Sequence, residues 1–279
     1  MAISSRLVIM GHYMAASLTA YVRLAARAAR EAGGLLVRYA GKPKTVETKR
    51  SVVDLVTEVD RSAERLIYGI LHRTTPTFDF LGEEHGQAHR RSPYRWIVDP
   101  IDGTNNFVHG LPIFGVSIAL EHRGRMLVGV IYDPMRRELF TAARGGGAFL
   151  NGARIRVSRA RRLGLSLIAT GFAFNFRRHP QPYLKWFQEF QRRSHGVRRI
   201  GSTVFCLAAI AAGRLEGFYE RDLWPWDMAA GMLLVEEAGG RISDLSGGRP
   251  DLTAGQLLAT NGLIHDQMLR IFKKRRHRL

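Results

Sequence analysis

Cysteine is nearly absent from this chain of 279 residues: only Cys206 is present, so no intrachain disulfide can form and a reducing, cytoplasmic setting is expected. Long apolar runs are missing too. None approaches the roughly 18 to 20 residues that a membrane span requires, and no membrane partner is expected. Acids are scarce beside bases, 24 against 42, which leaves a formal net charge of +18. The tail residues Lys273, Lys274, Arg275, Arg276 and Arg278 carry under a third of that excess, so the basic character is spread along the chain. Three readings fit it: steering of anionic substrates, contact with nucleic-acid phosphates, or a plain solvated, Arg-rich surface. Zinc-finger spacing and RNP-like aromatic strands are both lacking, so no motif supports a nucleic-acid or transcription-machinery partner. A GxxxxGK[ST] loop is also missing, which argues against a nucleotide-driven kinase.

What remains is an ordinary globular composition, 46% hydrophobic and 24% charged, long enough to bury a sizeable core. MAISSRLVIMGHYMAAS faintly resembles a signal peptide, but Gly11 and His12 interrupt a very short apolar stretch. Residues 1–16 are expected to be a disordered extension, with Met14 as an alternative start. Apolar positions at helical spacing predict a first helix from Ser17 to Tyr39. An irregular segment follows, then a helix beginning near Asp60.

TFDFLGEE and RWIVD read as strands, and NNFVHG as a short helix. The runs IFGVSIALEHRG, RMLVGVIYDPM and RRELFTAARGGGAFLNG read as an antiparallel meander, with Gly145–Gly147 as a hairpin turn rather than a phosphate loop. Downstream, LSLIATG, RLEGFYE and GRISDL predict strands. PYLKWFQEFQRR, STVFCLAAIAAG, WDMAAGMLLVEEAGG and NGLIHDQMLRIFKK predict helices. A single domain over residues 17–272, with two packed α+β halves divided near 155–165 and a basic tail at 273–279, is expected.

The chemistry concentrates in WIVDPIDGTNNF, where an apolar strand delivers two aspartates, Asp99 and Asp102, three positions apart. Pro100 fixes one dihedral and Gly103 permits a tight bend. Asp99, the Ile101 carbonyl and Asp102 can thereby turn toward one point, and hard oxygen ligands of this kind suit Mg²⁺. Gly103 and Thr104 open a short helix whose free amides would seat a phosphate. Carboxylate-held cations beside such a seat point to phosphoryl chemistry, with hydrolysis the expected reaction. Any one strand-end acid reads equally as a turn or capping residue; the case rests on several occurring together.

DLVTEVD (54–60), GEE (82–84), WIVDPIDGTNNF (96–107) and PWDMAAG (225–231) together resemble the ordered signatures of the inositol monophosphatase family, Mg²⁺-dependent and lithium-sensitive phosphatases. RRIGSTVFCLAAIAAGRLEGFYE (198–220) is similar to its bacterial inositol-1-monophosphatase branch. The resemblance implies an α+β fold, the layered αβαβα sandwich of the inositol monophosphatase and fructose-1,6-bisphosphatase type. It also implies one Mg²⁺ held by Glu83, Asp99 and the Ile101 carbonyl, a second held by Asp99, Asp102 and Asp227, and a third, weaker ion near Glu83. Thr104 and Asp60 would form the relay that takes a proton from an attacking, metal-activated water.

Substrate contacts implied by the same resemblance are Asp102, Gly103, Thr104, Gly201, Ser202, Thr203 and Glu220. Glu220 also reads as a surface acid at a strand end. Arg198 reads as a substrate contact, a contact to a partner subunit, or a plain surface arginine. Lys49 reads either as a group near Glu83 or as a solvated loop lysine. Trp224 and Trp226 are expected to pack a helix start, Cys206 to be core, and His85, His89 and His109 to form no metal set.

The expected activity is hydrolysis of a small polyol phosphate, inositol 1-phosphate first, by a cytoplasmic homodimer. The same motifs occur in relatives acting on histidinol phosphate, fructose 1,6-bisphosphate, NADP or 3′-phosphoadenosine 5′-phosphate. A different class of reading gives the basic surface an RNA or transcription-machinery role.

Overall fold

The structure is a computed structural model that describes residues 2–42, 46–48, 55–88 and 91–273. The first helix, α1 (Ala2–Tyr39), begins at Ala2 rather than at Ser17, so the stretch expected to be a disordered extension is helical. That stretch has no proline and many good helix formers, so nothing in it halts a helix already nucleated downstream. The inner face of α1 carries Ala25, Ala29, Ala32 and Leu36, all fully buried, and the small side chains let the helix lie close to its neighbours.

The segment read as irregular contributes a small antiparallel ribbon, β1 (Val46–Thr48) and β2 (Leu55–Thr57). Helix α2 (Glu58–Thr74) then starts on a capping box. The Thr57 hydroxyl accepts from the Asp60 amide at 3.4 Å, and the Asp60 carboxylate accepts from the Thr57 amide at 2.9 Å.

A large sheet follows from β3 (Asp79–Gly82), β4 (Gly86–Ala88), β5 (Tyr94–Asp102), β6 (Gly115–His122), β7 (Arg125–Asp133), β8 (Glu138–Ala143), β9 (Gly147–Leu150) and β10 (Ala153–Arg154). Between β5 and β6 lies α3 (Thr104–Val108). The strand order is β10-β9-β8-β7-β6-β5-β3-β4, with β3 and β5 parallel and the other pairs antiparallel. The β6-to-β9 meander follows the expected alternation. Its Gly145–Gly147 turn is filled from within, because the Glu237 carboxylate accepts from the amides of Gly145 and Gly147 at 2.8 and 2.9 Å.

The second sheet takes β11 (Leu167–Thr170), β12 (Gly196–Arg198), β13 (Gly217–Glu220), β14 (Arg241–Ser243) and β15 (Leu257–Thr260), in the order β12-β11-β13-β15-β14. Helices α4 (Gln181–Arg193), α5 (Thr203–Ala211), α6 (Pro225–Glu237) and α7 (His265–Lys273) complete the described chain.

Three apolar clusters separate five layers. One joins α1 and α2 to one face of the large sheet. A second surrounds α5 and α6, which are apolar on nearly every side because both sheets cover them. A third packs α4 and α7 on the outer face of the smaller sheet. The result is the layered αβαβα sandwich.

Helix α6 comes close to the large sheet at Gly129, where an added Cβ would lie 2.6 Å from the Ala230 carbonyl oxygen, a backbone atom that cannot swing aside. Gly129→Ala is expected to cost about 1–3 kcal/mol through overpacking, read as a lower urea midpoint at unchanged m-value. A midpoint equal to that of the parent protein would contradict the close approach.

Candidate active site

The two sheets bring four strand ends to one place. Gly82 ends β3, Asp102 ends β5, Thr170 ends β11 and Glu220 ends β13, and both pairs are parallel. Ligand sites in α/β architectures form outside the carboxyl ends of parallel strands. Here they enclose a cavity of about 170 Å³. The starts of α3, α5 and α6 face the same space, since Gly103, Ser202 and Trp224, their caps, all line it.

At the end of β5 the register with β6 shifts between Asp99 and Asp102, so the strand bulges and both carboxylates reach the cavity. Asp99 accepts from the Ile101 amide at 2.9 Å. The bend continues through Gly103, whose φ of 91° and whose absent Cβ, which would sit 2.9 Å from the Ile113 carbonyl, both require glycine.

Asp102 rests against the start of α5. The Ser202 hydroxyl donates to it, and the Val204 amide donates to the same oxygen at 3.1 Å. Asp227, in the first turn of α6, accepts from the Trp224 amide at 2.8 Å. Each aspartate is thus oriented by backbone, and among the described residues carboxylate oxygens of Asp99, Asp102 and Asp227 lie within 4.8 Å of one another.

Three acids so placed cannot all ionise without a counter-charge. Burial, then the charges of Glu83, Asp102 and Asp227, push the Asp99 carboxyl well above its usual range. Asp227 is raised well above its range by burial and by Asp102 and Glu83. Asp102 rises to about 6 through burial, less far because Ser202 and the α5 amides favour its ionised form. The all-oxygen donor set, short of positive charge, fits a hard divalent cation: the Ile101 carbonyl and the carboxylates of Glu83, Asp99, Asp102 and Asp227 all line the cavity and would hold it.

Thr104 stands beside them. Its hydroxyl lies 2.9 Å from the Ile101 carbonyl and 3.2 Å from Asp60, which is fully buried behind the cavity wall. Asp60 is fixed from the other side by the Thr57 hydroxyl at 2.5 Å and the Thr57 amide at 2.9 Å.

Gly201, Ser202, Thr203 and Glu220 also line the cavity. Burial raises the Glu220 carboxyl to about 8, partly offset by the Thr203 hydroxyl, which donates to it at 3.2 Å. Gly171 permits that arrangement: a Cβ there would fall 2.0 Å from the Glu220 carboxylate.

Arg198 does not line the cavity; it is exposed on β12, and the next residue, Arg199, lines it instead. Neighbours in an extended segment point to opposite sides, so the exposed position of Arg198 fits the surface and partner-subunit readings, and its neighbour Arg199 faces the cavity. Sequence reasoning missed Phe172, Asp222 and Arg199, with the Arg199 guanidinium 5.7 Å from the centre of the Phe172 ring. Trp224 and Trp226, expected only to pack a helix start, both form cavity wall, their rings stacked at 5.5 Å. Cys206 is buried, as expected of a core residue, yet it too touches the cavity. Lys49 and His89 lie outside the described residues. His85 pairs with Glu64 at 2.7 Å rather than with a metal set.

Fold and cavity together define a class: five-layered α+β proteins with a buried carboxylate cage where the strands of two sheets end. The chain matches the inositol monophosphatase family over residues 18–277. An inositol-1-monophosphatase of Mesorhizobium japonicum is 42% identical over 258 residues, covering 92% of this chain and 97% of that protein. The Nus factor SuhB of Escherichia coli is 43% identical over 250 residues, covering 89% and 94%. Among solved structures, the extragenic suppressor protein suhB of Bartonella henselae superposes with a TM-score of 0.87 at 43% identity, covering 92% of this chain and 99% of that one. The inositol monophosphatase of Anabaena gives 0.85 at 38% identity, covering 92% and 97%. The chain belongs to the inositol monophosphatase family, and it is a phosphatase of that family.

Stability should depend on pH through this cage. A carboxyl with a raised folded pKa supports the fold while protonated, fully below its ordinary value of 3.8, and that support is lost as pH climbs through about 6 for Asp102. A divalent cation binds the ionised form and restores what is lost. The rise in melting temperature on adding Mg²⁺ is therefore expected to be several degrees larger near pH 8.5 than near pH 5.5. An equal rise at both would contradict the assignment.

Proposed function

We propose that the protein is a Mg²⁺-dependent phosphomonoesterase acting on a small polyol phosphate, with inositol 1-phosphate as first candidate. The carrying observation is the carboxylate cage of Asp99, Asp102 and Asp227 opening onto Gly103 and Thr104 in one cavity. The volume of about 170 Å³ supports a compact substrate, since sites for drug-sized ligands run to roughly 300–1,000 Å³.

When bound, two or three Mg²⁺ ions would supply Lewis acidity to the phosphoryl oxygens and lower the pKa of an attacking water. The chain supplies the rest. The amides of Gly103 and Thr104 hold the phosphate; α3 has only five residues, so the N–H groups matter more than its dipole. The Thr104 hydroxyl has two acceptors in reach, the Ile101 carbonyl and Asp60, and the carbonyl is one of the groups that would hold a cation, so Asp60 is the acceptor the relay requires. Thr104 can then accept a proton from the incoming water while Asp60, anchored by Thr57, takes up the hydroxyl hydrogen.

Glu220 faces the substrate side, where a carboxyl both accepts from and donates to polyol hydroxyls. Thr203 and the Gly201–Ser202 backbone flank it. No covalent phosphoenzyme is required. The reading includes a cytoplasmic homodimer; a monomer in sedimentation at micromolar concentration contradicts the dimer.

Purified protein is expected to release phosphate from inositol 1-phosphate only with Mg²⁺, and lithium should inhibit it. Asp99→Asn should abolish turnover, and Thr104→Ala should lower kcat by about 10²–10⁴. Glu220→Gln should act mainly on KM for polyol esters. Absence of phosphate release across a panel of polyol, sugar and nucleotide phosphates would defeat the reading.

A second reading draws on the relatives named Nus factor SuhB and on the net charge of +18: a docking role on transcription machinery beside catalysis. It predicts salt-sensitive RNA binding that survives Asp99→Asn; no binding in a filter assay at low salt removes it.

A further inference from the structure

We infer that Glu64 is a positioning residue: from α2 it clamps the turn that presents Glu83 to the carboxylate cage, and this clamp sets the affinity for divalent cations. The inference rests on the phosphatase reading above, in that Glu83 is taken as a cation ligand.

The geometry is specific. Glu64 is fully buried, which a carboxylate tolerates only when its oxygens are met by donors. One oxygen accepts from the Glu84 amide at 2.9 Å, and the other accepts from the His85 amide at 2.8 Å. The second oxygen also lies 2.7 Å from Nδ1 of His85, a third contact on the same turn. The donors therefore come from the two residues immediately after Glu83.

Strand β3 approaches the clamp so closely that a Cβ on Gly82 would fall 2.5 Å from the Glu64 carboxylate. Glycine at 82 and glutamate at 64 are complementary halves of one contact, and together they bracket Glu83 between a fixed Cα and two fixed amides. This is hydrogen bonding to the carrier of a ligand, the type of support whose loss typically weakens metal binding by about 10–100-fold.

Position on the helix adds a second point. Asp60 and Glu64 are four residues apart on α2, hence on one face. One helix face thus reaches both Thr104, through Asp60, and the Glu83 turn, through Glu64. A shift of α2 would move the proton acceptor and the Glu83 turn together.

The test is calorimetric titration of purified protein with Mg²⁺ alone, with no substrate present, cross-checked by the fluorescence of Trp224 and Trp226 in the cavity wall. Glu64→Gln keeps the side-chain volume but sets an NH₂ against a backbone N–H. Gly82→Ala leaves Glu64 intact and pushes on the clamp from the other side, which keeps the test decisive should one variant fold poorly. Both are expected to raise the Mg²⁺ dissociation constant about 10–100-fold. In assays the Mg²⁺ concentration for half-maximal rate should rise in step, with kcat largely recovered at saturating Mg²⁺.

In a Glu83→Ala background, Glu64→Gln should add less than about a twofold loss, because the carried ligand is gone. Wild-type Mg²⁺ affinity in Glu64→Gln accompanied by a lower melting temperature would reduce Glu64 to a structural role and overturn the inference. So would a full penalty that persists in the Glu83→Ala background. A parent protein that binds no Mg²⁺ would bring down the phosphatase reading along with this one.

Discussion

Repulsion among carboxylates is the constraint around which this molecule is arranged. Asp99, Asp102 and Asp227 place oxygens within 4.8 Å of one another at the edge of a low-dielectric interior, where like charges cost several kcal/mol per pair. A chain left to itself would turn such side chains outward. Here each is held by backbone amides belonging to a bulge, a helix start or a capped first turn, so none can leave without breaking a local hydrogen bond. The fold stores an unmet demand for positive charge, which a divalent cation would meet.

Two sheets are needed for that arrangement. The large sheet supplies Asp99 and Asp102, and the turn after β3 supplies Glu83; the smaller sheet supplies Glu220; and α5 and α6, enclosed between the sheets, begin with the amides that hold Asp102 and Asp227 in place. Because the middle helices are covered on both faces, they cannot shift without disturbing both cores, and close contacts such as Gly129 against Ala230 keep them in register. The stability of the layers and the precision of the cage are therefore one property. On the outer layer, α2 braces the rim of the site, with Asp60 meeting Thr104 and Glu64 meeting the turn that follows Glu83.

Much of this was legible in the residues themselves. The alternation of GVSIALEH and RMLVGVIYD, the even apolar content of VFCLAAIAA and MAAGMLLV, and the Pro-Ile-Asp-Gly bend after WIVD mark the meander, the enclosed helices and the paired acids. Periodicity was silent about the far end of the cage. Asp227 is distant in sequence from Asp102, and only motif order linked them.

Other features left weak signals. Strand β15, LLAT, is short and lies between turn residues, yet it sits between β13 and β14 in the smaller sheet. That Arg199 lines the cavity was not legible, because two adjacent arginines look alike until the direction of the extended chain is known. Glu64 reads as one more polar residue on an amphipathic helix, since its partners are backbone amides that no side-chain pattern records. The early start of α1 was missed because Gly11 and His12 look like breaks, while a long preformed helix tolerates both.

Crystals grown with Mn²⁺, in which the ion is located by its anomalous scattering, test the account most directly. The account predicts at least one strong peak in the cavity, touching Asp99 and shared with Asp102 and Asp227. A map with no peak among those three side chains, in crystals diffracting well enough to show their carboxylates, would contradict it.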